Sequence, residues 1–256
     1  MPKIEKVEAQ VLDHLGIVSS IIDHLGIVEK IDKILSEKNQ KYYLTHGQIV
    51  KAFLLIGLGF QKRRLYLIKD FFKCRPVDLL FGKGVKAEHF SEFACGRTLE
   101  AIYEYGLQNF YYRLMVLINN ERDIINNYFK VDTTSLSVQG RYIKGKKGEG
   151  AFAKGHSKQK RPDLLQLVLS IGMSGAAKLP VFMGVHSGNE NDKEILPKIT
   201  QKIELIQDNV KWNDDVIKVS DSAIYSEKFV SNNPFDNIWV TRIPESSREA
   251  KKFVEK

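Results

Sequence analysis

The 256-residue chain is 43% apolar, enough for a sizeable core, and its 39 Lys plus Arg against 31 Asp plus Glu leave a formal charge of +8. That balance favours a polyanionic partner such as nucleic acid over an acidic small molecule. Cys74 and Cys95 form no CxxC pair and have no histidine cluster beside them, which points to neither a disulfide framework nor a zinc site. The opening residues Met1-Pro2-Lys3-Ile4-Glu5-Lys6 have the pattern of neither a signal peptide nor a transit peptide. The longest apolar run, Ala52 to Phe60, falls well short of the ~20 residues of a membrane-spanning helix. A cytoplasmic chain without a membrane segment is expected.

The first 120 residues read as helical. A hexapeptide occurs twice, as Asp13 to Val18 and Asp23 to Val28, and Gly16 and Gly26 each suit the left-handed position just past a helix end. Thr45 and Gln48 are spaced as a capping box ahead of the apolar positions Ile49, Val50, Phe53 and Leu54. After the polar stretch Asn119 to Asp123 the pattern changes, which divides the chain into a helical N-terminal domain, 1–122, and a second domain, 123–256.

In the second domain β-forming residues arrive in short runs bounded by Gly, Pro, Asn and Asp: Tyr128 to Val138, Leu164 to Met173, Leu179 to His186, Val216 to Ser220 and Ile238 to Ile243. Asn191 and Glu194 can cap a helix that carries Ile195, Leu196, Ile199, Ile203 and Ile206 on one face, with Pro197 near its first turn. A shorter helix is expected from Tyr225 to Val230. The order strand, strand, strand, helix, strand, helix, strand is that of an α/β chain with a ribonuclease H-like mixed sheet. Here the sheet is incomplete and follows a mostly helical N-terminal domain.

In that order the first and fourth strands are neighbours, and each carries an aspartate, Asp132 and Asp221. Hard oxygen ligands converging at strand ends suit Mg²⁺, with Mn²⁺ as a substitute, and metal ions so held can activate the attacking oxygen in phosphodiester cleavage. Between the first two strands runs the densest basic segment: Arg141, Lys144, Lys146, Lys147, Lys154, Lys158, Lys160 and Arg161, with His156 among them. Such a segment suits contact with a DNA backbone. Gly140 and Gly145-Lys146 also fit part of a phosphate-binding loop, but Lys147 stands where that motif needs Ser or Thr, so a nucleotide hydrolase is the remote reading. His156 and His186 have no evident cysteine or serine partner and read as polar loop residues.

The chain resembles the DDE transposases of bacterial insertion sequences, in the branch whose ribonuclease H-like core is interrupted by a large insertion before its last helix. The resemblance rests on Val131-Asp132-Thr133-Thr134-Ser135, on Gly155-His156-Ser157-Lys158 with Arg161-Pro162-Asp163-Leu164, and on Ser187-Gly188-Asn189 with Asp192-Lys193. Ser220-Asp221-Ser222-Ala223 with Tyr225, and Trp239-Val240-Thr241-Arg242-Ile243-Pro244, carry it further. Asp13-His14-Leu15-Gly16 and Thr45-His46-Gly47-Gln48 look like the domain that precedes the core, although Phe93, Ala94 and Cys95 stand ahead of Gly96-Arg97 where relatives tend to carry acids.

The resemblance implies Mg²⁺-dependent cleavage and strand transfer in DNA transposition. Asp132 and Asp221 would be the first two acids, and double-stranded DNA, both element ends and target, the partner. It also implies a homo-oligomer or pairing with full-length transposase. The third acid, a glutamate on a late helix, has no counterpart; Glu245 and Glu249 follow Ile243-Pro244, where the insertion should start, and neither is nominated. The expectation is a C-terminally truncated transposase, inactive alone. The alternative is a non-catalytic DNA-binding fragment that occupies element ends or modulates the full-length enzyme.

Overall fold

In the computed structural model the duplicated hexapeptide folds in two ways. Its first copy opens α1 (Leu15–His24), so Gly16 lies inside the first turn rather than past a helix end, and the left-handed residue there is Asp13, at φ 48°. Its second copy closes α1 and opens α2 (Ile27–Ile34): Gly26, at φ 58°, follows the C-cap Leu25, as expected of a glycine just beyond a helix. Lys30 supports that end by donating from Nζ to the Leu25 carbonyl at 2.9 Å, and a Cβ on residue 26 would stand 3.0 Å from the same Nζ. Identical local sequence leaves the helix boundary to be decided by what meets each copy: Lys30 in the second, and in the first the Leu58 carbonyl, 2.6 Å from His14 Nε2, and Arg75, 3.9 Å from Asp13.

The structure describes residues 9–36, 42–59, 64–122, 128–140, 150–156, 160–175, 179–191, 194–196, 198–199, 217–225, 238–245 and 247–254. It divides into two compact units, Met1–Leu114 and Met115–Lys256. In the first, the predicted capping box opens α3 (His46–Leu58): Thr45 Oγ1 accepts from the Gln48 amide at 3.2 Å, and Gln48 Oε1 accepts from the Thr45 amide at 3.0 Å. The buried stripe runs through Ile49, Ala52 and Leu55, while Leu54 is exposed. The expected apolar face included Leu54, which the 3.6-residue turn carries away from the core.

Gly47 allows α2 to come close, since a Cβ there would collide with the Val28 carbonyl, and its amide donates to Asp32 Oδ1 at 2.6 Å. Around α3 pack α4 (Ile68–Phe72), α5 (Val77–Phe81) and α6 (Glu92–Tyr105). The core joins Leu15, Leu44 and Leu55 to a ring cluster in which Phe72 stacks on Phe90 at 4.5 Å and meets Phe81 edge-on at 5.3 Å. The division between the units falls within α7 (Leu107–Arg122).

The second unit contains a five-stranded mixed sheet, β1 (Tyr128–Val138), β2 (Leu165–Ser174), β3 (Leu179–Ser187), β4 (Ile217–Ser220) and β5 (Trp239–Thr241), in the order β3-β2-β1-β4-β5. β1, β2 and β3 form an antiparallel meander, while β4 runs parallel to both β1 and β5. This is the ribonuclease H-like arrangement expected from the order of elements. β5 is shorter than the predicted run; beyond it, Pro244 has no amide to extend a ladder.

On β1 the alternation is regular: Phe129, Val131, Thr133 and Ser135 are buried, and Lys130, Asp132, Thr134 and Leu136 are exposed. Phe129 lies across Gly172 of the paired strand, where a Cβ would collide with its ring. Lys218 is wholly buried on the same face, with Nζ 5.5 Å from the Trp239 ring centroid. Residues 194–196 and 198–199 are helical and bury Ile195, Leu196 and Ile199, with the amides of Glu194 and Ile195 donating to Asn191 O as a helix start requires. Pro197, Ile203, Ile206 and most of the helix predicted to reach Val230 lie outside the described residues. A helix over Arg248–Val254, not drawn from the sequence, follows β5. Among the described residues no helix is long and apolar enough to cross a membrane.

The packing yields a paired expectation. Gly172→Ala forces the Phe129 ring to shift and should destabilise the protein by about 1–3 kcal/mol. Gly57→Ala, at a helical position with nothing within 4 Å, should stabilise it by roughly 0.5–1 kcal/mol. Urea unfolding of both variants checks the contrast, and equal effects of one sign would contradict it.

Candidate metal and nucleic-acid site

Parallel pairing of β1 with β4 matches Phe129 to Lys218, Lys130 to Val219 and Val131 to Ser220. The next position on each chain is an aspartate, Asp132 on β1 and Asp221 immediately after β4. Val131 and Ser220 both point into the buried side, so the two aspartates follow on the opposite, open side, and both are exposed. Adjacent strands lie ~4.8 Å apart.

Each aspartate is fixed by its neighbours. The Thr133 amide donates to Asp132 Oδ1 at 2.7 Å, and Thr241 Oγ1 on β5 donates to the Asp221 carbonyl at 2.7 Å. A single 3-10 turn, Ser222–Ile224, leads the chain away, with Ile224 buried as its anchor. Thr241 gave no sign of this role in the sequence beyond membership of a strand.

Two carboxylates are hard oxygen donors of the kind Mg²⁺ takes alongside water and phosphate oxygens. Among the described residues no group of three or more His, Cys, Asp or Glu gathers to hold a metal. Among the described residues, what Asp132 and Asp221 offer such an ion is their donor type, two carboxylates. Glu245 is exposed after β5, two strands away from β1. Glu249 belongs to the helix that follows.

Of the predicted DNA-contacting residues, Lys154, His156, Lys160 and Arg161 are described and exposed; Arg141, Lys144, Lys146, Lys147 and Lys158 lie outside the described residues, as does most of the phosphate-loop match after Gly140. The segment is anchored at the start of β2. Ala153 and Gln166 exchange backbone hydrogen bonds at 2.9 and 3.2 Å, and the buried Gln166 side chain donates from Nε2 to the carbonyls of Gly188 at 2.8 Å and His156 at 3.3 Å. A Cβ on Gly155 would collide with the Gly188 carbonyl, and one on Gly188 with the Gln166 carbonyl. Those contacts explain why glycines mark both motifs.

Gln166 pairs with Ser137, whereas Asp132 pairs with Ile171. Five residues of strand at 3.3–3.4 Å each separate them, roughly 17 Å. The anchor of the basic segment is therefore displaced along the hairpin from the carboxylate pair. Arg161 is further engaged by Asp163, through Nε at 2.8 Å and an Nη at 2.7 Å, across a turn closed by the Leu164 amide on the Arg161 carbonyl at 3.2 Å. This fork holds the Asp163 carboxyl down at about 2.

His186 corrects the sequence reading. It lies on β3, buried, with Nε2 2.8 Å from Ser170 Oγ of β2, a cross-strand meeting that residue spacing cannot reveal. Ser170 is fully buried, so the pair is closed to substrate.

Residues 7–116, which end within α7, match the family described as a domain of unknown function, DUF4277. A comparison with curated proteins gives no match. Among solved structures the chain is similar to a piggyBac transposase in a synaptic complex with hairpin DNA, at TM-score 0.44 and 12% identity, over 100% of this chain and 55% of that chain. It thus spans about half the length of that transposase. It is also similar to a Mos1 transposase in a paired-end complex with the left transposon end, at TM-score 0.30 and 7% identity, over 86% of this chain and 73% of that chain.

The Arg161–Asp163 fork gives a direct expectation. An Asp whose folded pKa is depressed contributes stability above its unfolded pKa, ~3.9, and loses that contribution as pH falls toward the folded value. A carbon-detected NMR titration should place the Asp163 midpoint near 2, and Arg161→Ala should return it to the ordinary carboxylate range. An unchanged midpoint in the variant would refute the pairing.

Proposed function

We propose that the chain is a transposase-type DNA-processing protein of the insertion-sequence DDE kind, in which Asp132 and Asp221 are two carboxylates of a metal site. The observation that supports this reading is the β1–β4 pairing in a ribonuclease H-like sheet, which runs to Val131 and Ser220, with Asp132 and Asp221 the residues that follow them. When bound there, Mg²⁺ or Mn²⁺ supplies activation of an attacking oxygen and charge neutralisation at a phosphodiester. Asp132 and Asp221 would hold it, with the Thr133 amide orienting the Asp132 carboxylate and the Thr241 hydroxyl fixing the Asp221 backbone. Lys154, His156 and Lys160, with Arg141, Lys144, Lys146, Lys147 and Lys158, would meet DNA phosphates. The ~17 Å between the Gln166 anchor and the level of Asp132 suits backbone several base pairs from the reacting bond, at about 3.4 Å per step along a strand.

Two protein ligands hold Mg²⁺ weakly, since affinity and geometry follow the number of oxygens in the shell. With two such ligands among the described residues, DNA binding without turnover is the expected behaviour. A second reading, a DNA-binding transposase fragment without catalysis, draws on the same two-ligand count among the described residues. Both readings expect duplex DNA as partner, and an assembly with further copies or with a longer transposase.

The test combines binding and cleavage. Duplex affinity should fall steeply with salt, drop further in the double variant Lys154→Glu with Lys160→Glu, and stay unchanged in Asp132→Asn. Salt-insensitive binding would overturn the nucleic-acid reading. Mg²⁺-dependent nicking by the wild-type polypeptide, abolished by Asp132→Asn, would overturn the expected lack of turnover while supporting the site; nicking that survived both Asp132→Asn and Asp221→Asn would overturn the site itself.

A further inference from the structure

The helical unit presents a braced aromatic platform at the start of α3, remote in sequence from the paired aspartates. Tyr43 is 82% exposed, yet one face of its ring is covered by His89, with centroids 4.6 Å apart and planes 12° from parallel. His89 is itself held, its Nδ1 accepting from the Lys86 amide at 3.2 Å. The preceding residue, Tyr42, carries the Arg97 guanidinium 3.3 Å above its ring, and that guanidinium also donates to the Leu44 carbonyl at 3.3 Å. One turn before Arg97 on α6, Phe93 is 90% exposed.

The unstacked face of Tyr43 is thus a flat, rigid surface in water, with further exposed rings at Tyr42 and Phe93. Exposed aromatics normally lose conformational entropy when a ligand stacks on them; here His89 and the capped start of α3 have already fixed the ring. A flat π surface beside a guanidinium fits the face of a nucleobase. Paired bases within a duplex have their faces covered by neighbouring bases. The ligand that fits is therefore an unpaired nucleotide.

We infer that Tyr43, braced by His89 and flanked by Arg97 on Tyr42, is a stacking site for single-stranded DNA. The inference takes its DNA partner from the proposed function but does not use Asp132 or Asp221. Net charge is not the source of the attraction: Lys86 and Arg97 are offset by Glu88 and Glu92. Stacking at Tyr43 should consequently depend little on salt, unlike contact with the basic segment.

Fluorescence anisotropy with a labelled single-stranded oligonucleotide and its duplex, using the full 256-residue chain across a salt series, tests this. Tyr43→Ala should weaken single-strand binding about tenfold, the loss of roughly one stacked base, by the same factor at every salt concentration. Tyr43→Phe should bind like wild type, and Tyr43→Ala should leave duplex binding and the far-UV circular dichroism unchanged. Wild-type duplex binding with no effect of Tyr43→Ala on the single strand overturns the stacking site alone. Loss of single-strand and duplex binding in equal measure also overturns it. A Tyr43→Ala chain with unaltered DNA binding but a smaller mass in solution would make the platform a protein contact instead. If the wild-type chain bound no DNA of either form, the proposed function would fall first, and this inference with it.

Discussion

The parallel register between β1 and β4 is the constraint on which the functional account depends. Strand alternation has a period of two, so a slip of one residue in that pairing would send Asp132 and Asp221 to opposite faces of the sheet. The register is held from the buried side, where Val131 and Phe129 lie level with Ser220 and the wholly buried Lys218. Phe129 is fixed in turn across Gly172 of β2. Core packing on one face thus sets the spacing of charges on the other.

The same coupling governs the basic segment. Gln166 uses its backbone to receive Ala153 and its side chain to tie His156 to Gly188, and the two glycines permit that approach. The loop that follows β1 is thereby brought back to the start of β2 at a defined distance from the aspartates. The buried Gln166 amide fixes that return through its two donated bonds.

The sequence was most informative where a single period dominated. The run of β-forming residues from Tyr128 to Val138 defined β1 to the residue, and Thr45 with Gln48 located the start of α3, because both signals are local and do not depend on distant partners. It was least informative where tertiary contacts choose between two local solutions. Gly16 and Gly26 stand in identical hexapeptides, yet only Gly26 closes a helix, with Lys30 reaching its end. The Ser170–His186 contact and the Tyr43–His89 stack both join residues whose meeting no spacing rule specifies. The strands that carry Asp132 and precede Asp221 fall between these cases: they were legible from composition, and the adjacency of β1 and β4 from the order of elements.

Whether those two carboxylates act as one site is the central claim, and paramagnetic broadening by Mn²⁺ addresses it most directly. In ¹⁵N-labelled protein, substoichiometric Mn²⁺ should broaden amide signals around residues 132 and 221 together, and Asp132→Asn or Asp221→Asn should each remove the effect at both positions. Broadening that each variant lost only at its own position, or that centred elsewhere in the chain, would contradict a shared site.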